Sequence, residues 1–244
     1  MAKKVLITGV LGGIGSGLAK AFKENGYHVT GLDIRKDTCD HCDRLIHFDL
    51  NRFCTDAQYR LEMNAKFKEE IPELHVLINN AAVQLLGSVK EIELNDWNET
   101  LNVNLTGALL LSQLFLDRLE EVHGCIINIA SIHQQLTKKR FVSYATSKGA
   151  LIALTKSMSV DLQGRVRVNA ISPAAIDTKM LRDGFDNNEE KVQQLNELHP
   201  MQRIGKPAEV SKLALLLAED ELGFINGANI NIDGGISNVL KDLD

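Results

Sequence analysis

The sequence has little with which to build a second domain, cross a membrane or hold a metal. Prolines number only four in 244 residues, and no Gly/Ser tract, charge block or internal repeat interrupts the chain. A linker is therefore absent, and one domain over residues 1–244 is expected. No apolar run approaches the ~20 residues that span a bilayer. The start, Met1-Ala2-Lys3-Lys4, leads at once into Val5-Leu6-Ile7-Thr8-Gly9, too short an apolar stretch for a secretory leader. These features predict a soluble, cytoplasmic protein. The net charge is −5 and no long Lys/Arg run occurs, which argues against nucleic acid or an anionic membrane as principal partner and for a small-molecule ligand. Of four cysteines, Cys39, Cys42 and Cys54 lie close together with His41 among them, but no second ligand pair follows at a zinc-site spacing. No metal is expected, and the cysteines read as reduced thiols in a loop, with Cys125 in the core.

What the chain does have is alternation. Short β-rich runs at Lys4 to Gly9, Tyr27 to Asp33, Leu45 to Phe48, Leu74 to Asn79, Cys125 to Ala130, Arg165 to Ile171 and Asn229 to Ile232 are separated by segments of helical period. Those segments are Gly15 to Asn25, Thr55 to Glu70, Asn95 to Val122, Ser143 to Gln163 and Pro207 to Glu219. Seven strands alternating with helices predict an α/β Rossmann fold, a doubly wound seven-stranded parallel sheet with helices on both faces. Ligands of such sheets bind beyond the carboxyl ends of the strands, where the strand order reverses. Residues 174–199 are polar with weak helical pattern and are expected to form a flexible substrate flap.

The first strand runs into Gly9-Val10-Leu11-Gly12-Gly13-Ile14-Gly15, directly ahead of a helix. Glycines at that junction allow a tight turn and close backbone approach, so that helix N-terminal amides can hold a pyrophosphate. Gly9, Leu11, Gly12, Gly13, Ile14 and Gly15 are thus candidate cofactor residues. Asp33 closes the second strand 24 residues after Gly9, where a carboxylate accepts both adenosine ribose hydroxyls and repels a 2′-phosphate. This favours NAD over NADP, although Arg35 and Lys36 follow closely.

Thr8, Gly9, Gly13 and Gly15 fill a Thr-Gly-x-x-x-Gly-x-Gly spacing that resembles the classical short-chain dehydrogenase/reductase family. Asn79-Asn80-Ala81-Ala82, Asn102-Val103-Asn104, Ser131 and Tyr144-Ala145-Thr146-Ser147-Lys148 resemble further family motifs in family order, with Ser131 13 residues ahead of Tyr144. The resemblance runs from Lys4 to about Gly235 and implies a catalytic tetrad of Asn104, Ser131, Tyr144 and Lys148. Tyr144 would exchange a proton with a substrate alcohol or ketone while hydride moves between substrate and NAD(H). Lys148, one turn along the same helix face, would favour phenolate and bind the nicotinamide ribose. Ser131 would hold the substrate oxygen, and Asn104 a water in a proton relay. The resemblance also assigns cofactor contacts to Asp49, Leu50 and Asn80, and to Ile176 and Thr178 after the sixth strand. Ala174 stands where the family has glycine, which leaves the backbone path beneath the nicotinamide open. The short interval from Asp33 to Asp49 implies a loop where the family has a helix.

Ser131-Ile132-His133 with Phe141-Val142-x-Tyr144 is locally similar to the family's glucose dehydrogenases. His133, Gln134, Phe141 and Ala175, with Ser131, are the expected substrate contacts, and a sugar or polyol the leading expectation, with a plain structural role for His133 as the alternative. A hydroxy acid, a 3-oxoacyl thioester and a steroid-like alcohol stay open. The resemblance further implies a homotetramer. A catalytically silent NAD-binding sensor is the rival class.

Overall fold

The computed structural model describes residues 2–240. Aliphatic and β-branched runs form β1 (Lys4–Thr8), β2 (His28–Asp33), β3 (Arg44–His47), β4 (Val76–Asn79), β5 (Cys125–Ile129), β6 (Arg167–Pro173) and β7 (Asn229–Ile232). All pair in parallel in the order β3-β2-β1-β4-β5-β6-β7. The helices are α1 (Gly13–Glu24), α2 (Leu50–Thr55), α3 (Ala57–Glu70), α4 (Leu94–Leu101), α5 (Gly107–Glu121), α6 (Val142–Asp161), α7 (Lys179–Asp183), α8 (Glu189–Leu198) and α9 (Pro207–Ala218).

Successive strand residues point to opposite faces, and the two faces carry separate cores. Val5 and Ile7 of β1 meet Leu18 and Phe22 of α1 and Val210, Ala214 and Leu217 of α9. Leu6 between them faces the other way, toward Phe67 of α3 and Leu111 and Phe115 of α5. Phe67 and Phe115 lie with ring centroids 5.7 Å apart, and truncation of either buried ring to alanine costs about 3–5 kcal/mol. The inner strands are thus apolar on both sides, as parallel sheets covered by helices require.

Strand order reverses between β1 and β4, and the crevice there is closed by one hydroxyl. Thr8 Oγ1 accepts the backbone N–H groups of Asn80 and Ala81, each at 2.9 Å. The ends of the two strands that flank the ligand crevice are therefore tied together.

Four expectations need correction. The helix expected from Thr55 to Glu70 begins at Ala57, and the separate short helix α2 precedes it, because the Asp56 carboxylate accepts from Gln58 N and Tyr59 N and starts α3 afresh. Asn95 to Val122 is α4 and α5 joined by a π-helical turn, Asn102–Thr106. Residues 174–199 contain α7 and α8, capped by Thr178 and Asn188. Cys39 and Cys42 form a disulfide rather than a pair of reduced thiols; the Cys42 N–H bonds to the Cys39 carbonyl at 3.1 Å, and this turn brings the two sulfurs together. The expected loop between β2 and β3 is present, with no helix between Asp33 and Arg44. No helix among the described residues is long and apolar enough to cross a membrane.

Candidate active site

The glycine-rich turn between β1 and α1 is built so that no side chain could occupy it. A Cβ on Gly15 would stand 2.1 Å from the Gly9 carbonyl oxygen, and one on Gly13 2.6 Å from the Thr178 methyl. These contacts pull the turn tight and bring the 176–178 segment against it, leaving a backbone cradle at the start of α1. Leu11 and Ile14 pack their side chains against the core beneath. Gly12 N bonds to Gly9 O at 3.1 Å, and Asn80 donates its side-chain N–H to the Thr8 and Gly9 carbonyls at 2.9 and 3.1 Å. Asn80 thus braces the turn.

Asp33 is buried at the end of β2. Its Oδ2 accepts Leu11 N at 2.9 Å, and its Oδ1 accepts Arg35 N at 3.0 Å and Arg35 Nε at 3.3 Å. One carboxylate therefore joins the phosphate loop to the loop after β2, with lone pairs left for further donors. Asp49 caps α2 by accepting Arg52 N at 2.9 Å. Leu50 sits in the core against Gly107, whose Cβ would come 2.6 Å from Leu50 Cδ1; its side chain is committed to packing rather than to a ligand. Ile176 is likewise buried, pressed on Gly205. Thr178 Oγ1 accepts Leu181 N at 3.3 Å. Ala174 is outside the left-handed region, and its N–H bonds to Ile232 O at 2.9 Å, so alanine there carries no backbone strain.

Tyr144 and Lys148 share a face of α6, with Lys148 Nζ 5.7 Å from the Tyr144 ring centroid. Lys148 is 2% exposed, and its ammonium donates to the Ile129 carbonyl at 2.8 Å. Burial penalises its charge and pulls its pKa down to about 8. Burial also raises the Tyr144 phenol above its ordinary value, opposed by a hydrogen bond with the Ser131 hydroxyl. Ser131, two residues beyond β5, is in extended backbone, and its Oγ accepts His133 N at 3.2 Å. A phenol, a hydroxyl and a buried amine thus converge at the carboxyl end of β5, an arrangement that can pass a proton to or from an oxygen atom.

Asn104 lies on the π-helical turn with all of its polar atoms engaged. Its Oδ1 accepts Val83 N at 2.9 Å, and its Nδ2 donates to Val83 O and Ser147 Oγ, both at 3.0 Å. Ser147 in turn donates to the Tyr144 carbonyl at 2.7 Å. Both amide N–H groups are spent, so the side chain is a brace between the loop after β4 and the turn of α6 that carries Tyr144. This differs from a side chain free to hold a relay water.

Of the expected substrate residues, His133 and Phe141 come together beside Tyr144. Phe141 stacks on His133 with centroids 4.6 Å apart, and both rings meet Tyr144 edge-on, at 5.9 and 5.8 Å. Gln134 closes the short turn after Ser131 through its N–H to the Ser131 carbonyl at 3.0 Å. Ala175 accepts Gly205 N at 2.9 Å. His133 is held below its usual pKa, by burial first and Lys138 second, and its Nδ1 is buried with no partner. Sequence reasoning overlooked Thr8 as the tie between strands, Ser147 as the partner of Asn104, and Lys138, whose Nζ stands 4.5 Å from the Phe141 ring centroid. The Thr8 signal lay in the motif itself, directly before Gly9. The other two depend on tertiary contacts.

Comparisons with known proteins agree with this geometry. A family model described as Enoyl-(Acyl carrier protein) reductase matches residues 9–237. Meso-2,3-butanediol dehydrogenase of Serratia marcescens is 32% identical over 96% of this chain and 94% of its own length. D-threitol dehydrogenase of Mycolicibacterium smegmatis is 31% identical over 96% and 92%. The ligand-free aldohexose dehydrogenase of Thermoplasma acidophilum superposes with a TM-score of 0.91 at 31% identity, over 100% of this chain and 97% of that one. Similar structures hold either cofactor: ElxO with NADP (TM-score 0.86, 29% identity, 98% and 100% coverage) and 4-hydroxyisoleucine dehydrogenase with NADH (0.88, 28%, 98% and 100%). The glycine-lined turn, the Ser131, Tyr144 and Lys148 cluster and these end-to-end matches lead to one assignment: the chain belongs to the short-chain dehydrogenase/reductase family of oxidoreductases.

Proposed function

We propose that the protein is an NAD-dependent dehydrogenase that interconverts a secondary alcohol and its ketone, with a sugar or polyol as substrate. The observation that carries the reading is the convergence of Tyr144, Ser131 and Lys148 at the carboxyl end of β5, beside a backbone cradle that excludes side chains. The cradle fits a dinucleotide: the amides from Gly12 to Gly15 would take the pyrophosphate, Asp33 the adenosine ribose, and Lys148 the nicotinamide ribose. Asp49, Leu50, Asn80, Ile176 and Thr178 would line the same site through backbone or rim contacts. Bound there, the nicotinamide supplies the hydride acceptor or donor.

The chain's own residues then handle the proton. Ser131 Oγ donates to the substrate oxygen and holds it beside Tyr144 Oη. Tyr144 takes the hydroxyl proton in oxidation and returns it in reduction. The Lys148 ammonium, swung from the Ile129 carbonyl toward the ribose and phenol, offsets the burial that disfavours phenolate. Asn104 keeps the Tyr144 turn in place. His133, Gln134, Phe141 and Ala175 wall the substrate, and residues 174–199 act as a flap. The charge of Asp33 favours NAD, and the butanediol and threitol dehydrogenases among the relatives support a polyol. A cytoplasmic homotetramer completes the proposal.

The test is to titrate purified protein with NADH and NADPH and to screen sugars, polyols, hydroxy acids and cyclic alcohols for nicotinamide reduction. Preferential NADH binding with turnover of a polyol is the expected result. Tighter NADPH binding contradicts the Asp33 argument, and NADH binding with no turnover of any class favours the silent-sensor alternative.

A further inference from the structure

Basic side chains around the substrate side are, for the most part, already matched with acids. Arg140 pairs with Glu91 at 2.6 Å, Lys179 with Asp183 at 2.5 Å, Arg182 with Asp177 and Glu189 at 2.7 Å each, and Lys191 with Asp186 at 3.9 Å. Lys138 is different. Among the described residues no carboxylate lies within ion-pair distance of it, and its ammonium instead rests over the Phe141 ring, 4.5 Å from the centroid. Phe141 is the same ring that meets Tyr144 edge-on at 5.9 Å and stacks on His133. The ammonium therefore rests on the same ring that His133 and Tyr144 contact. The residue is solvent-exposed, so a ligand can approach it.

The local electrostatics favour a negative charge beside Lys138. Burial first and the positive charge of Lys138 second hold the His133 pKa down, and partial desolvation lowers that of Lys138 itself. Each group would be relieved by one negative charge placed near the ammonium. His133, kept neutral, offers hydrogen bonding to hydroxyl groups rather than a second charge. An ammonium, lacking the guanidinium fork, suits a monoanionic carboxylate better than a phosphate dianion.

We propose that Lys138 is a specificity residue that reads a carboxylate on the substrate, so that the preferred alcohol is a polyhydroxy acid rather than a neutral polyol. The proposal rests on the dehydrogenase reading above and narrows its substrate class.

The test compares D-gluconate with D-glucitol, at saturating NAD, in the wild type, Lys138→Met and Lys138→Arg. A second readout is quenching of bound NADH fluorescence by gluconate. The wild type should favour gluconate in kcat/KM, and Lys138→Met should lower the gluconate-to-glucitol ratio about tenfold, through KM more than kcat. Lys138→Arg should keep most of the preference, and added salt should erode it. Turnover of both probes with a ratio indifferent to Lys138 overturns the carboxylate site and leaves the dehydrogenase reading standing. Turnover of neither, with gluconate binding to the NADH-loaded protein lost in Lys138→Met, upholds the anion site, and the dehydrogenase reading then stands or falls on the wider alcohol screen. Absence of gluconate turnover and of gluconate binding overturns the proposal.

Discussion

The Lys148 ammonium, one helical turn from Tyr144, makes its hydrogen bond to the carbonyl of Ile129 and stands 5.7 Å from the centre of the tyrosine ring. The cation is held at the base of the site by a neutral acceptor, and among the described residues no carboxylate pairs with it to offset its burial. The site carries a stability cost that a ligand ribose would offset.

That cost has a pH signature. The folded-state pKa of Lys148 is about 8, against 10.5 for the ordinary side chain. Below pH 8 both states hold the proton. Between about pH 8 and 10.5 the unfolded chain binds more protons, so stability rises with pH through this window and levels off above it. Relative to Lys148→Met, the cofactor-free wild type should gain up to roughly 3 kcal/mol across the window. Urea unfolding of both proteins at several pH values checks this, and parallel pH profiles would contradict it.

Asn104 links three segments through one amide, so its loss strands buried partners. Asn104→Ala leaves Val83 N–H and Val83 C=O without their side-chain partner and frees the Ser147 hydroxyl. A destabilisation of about 2–4 kcal/mol is expected, with a fall in turnover through disorder of the α6 turn. Denaturant unfolding measures the first, and kcat on any accepted alcohol the second.

Asp33 positions Arg35 and, in the proposed NAD site, would repel a 2′-phosphate. Asp33→Ser removes the charge and releases the guanidinium, so the ratio of NADPH to NADH affinity should rise at least about tenfold. Fluorescence titration with each nucleotide reads it directly.

The thiols should be slow to react. Burial pushes the Cys54 thiol up to about 11 and the Cys125 thiol up to about 12, and Cys39 and Cys42 are joined. Native, unreduced protein should react very little with a thiol reagent near neutral pH. Denatured protein should show two thiols without reductant and four after reduction, two being free and two bridged.

The strands and the motif residues were legible in the sequence because local chemistry specifies them. Leu6 opposite Val5 and Ile7 already announces a strand buried on both faces, and only glycine satisfies the contacts at Gly13 and Gly15. Less visible features have non-local causes. The π-helical turn at Asn102–Thr106 is fastened by Asn104 bonding to Val83 and Ser147, partners far apart in the chain. In α8 only Val192 is buried, so its apolar periodicity is too sparse to read. Leu50 directly follows the cap residue Asp49, and the close approach of Gly107 reveals it as core. The Cys39–Cys42 bridge needs the chain to fold back, which residue spacing alone does not state.

The central claim is that Tyr144 carries the proton. Replacing Tyr144 with Phe keeps the ring against His133 and Phe141 and removes only the hydroxyl. The account predicts that kcat on the accepted alcohol falls about 10²–10⁴-fold while NADH affinity is largely retained. Turnover at or near the wild-type rate in Tyr144→Phe would contradict it.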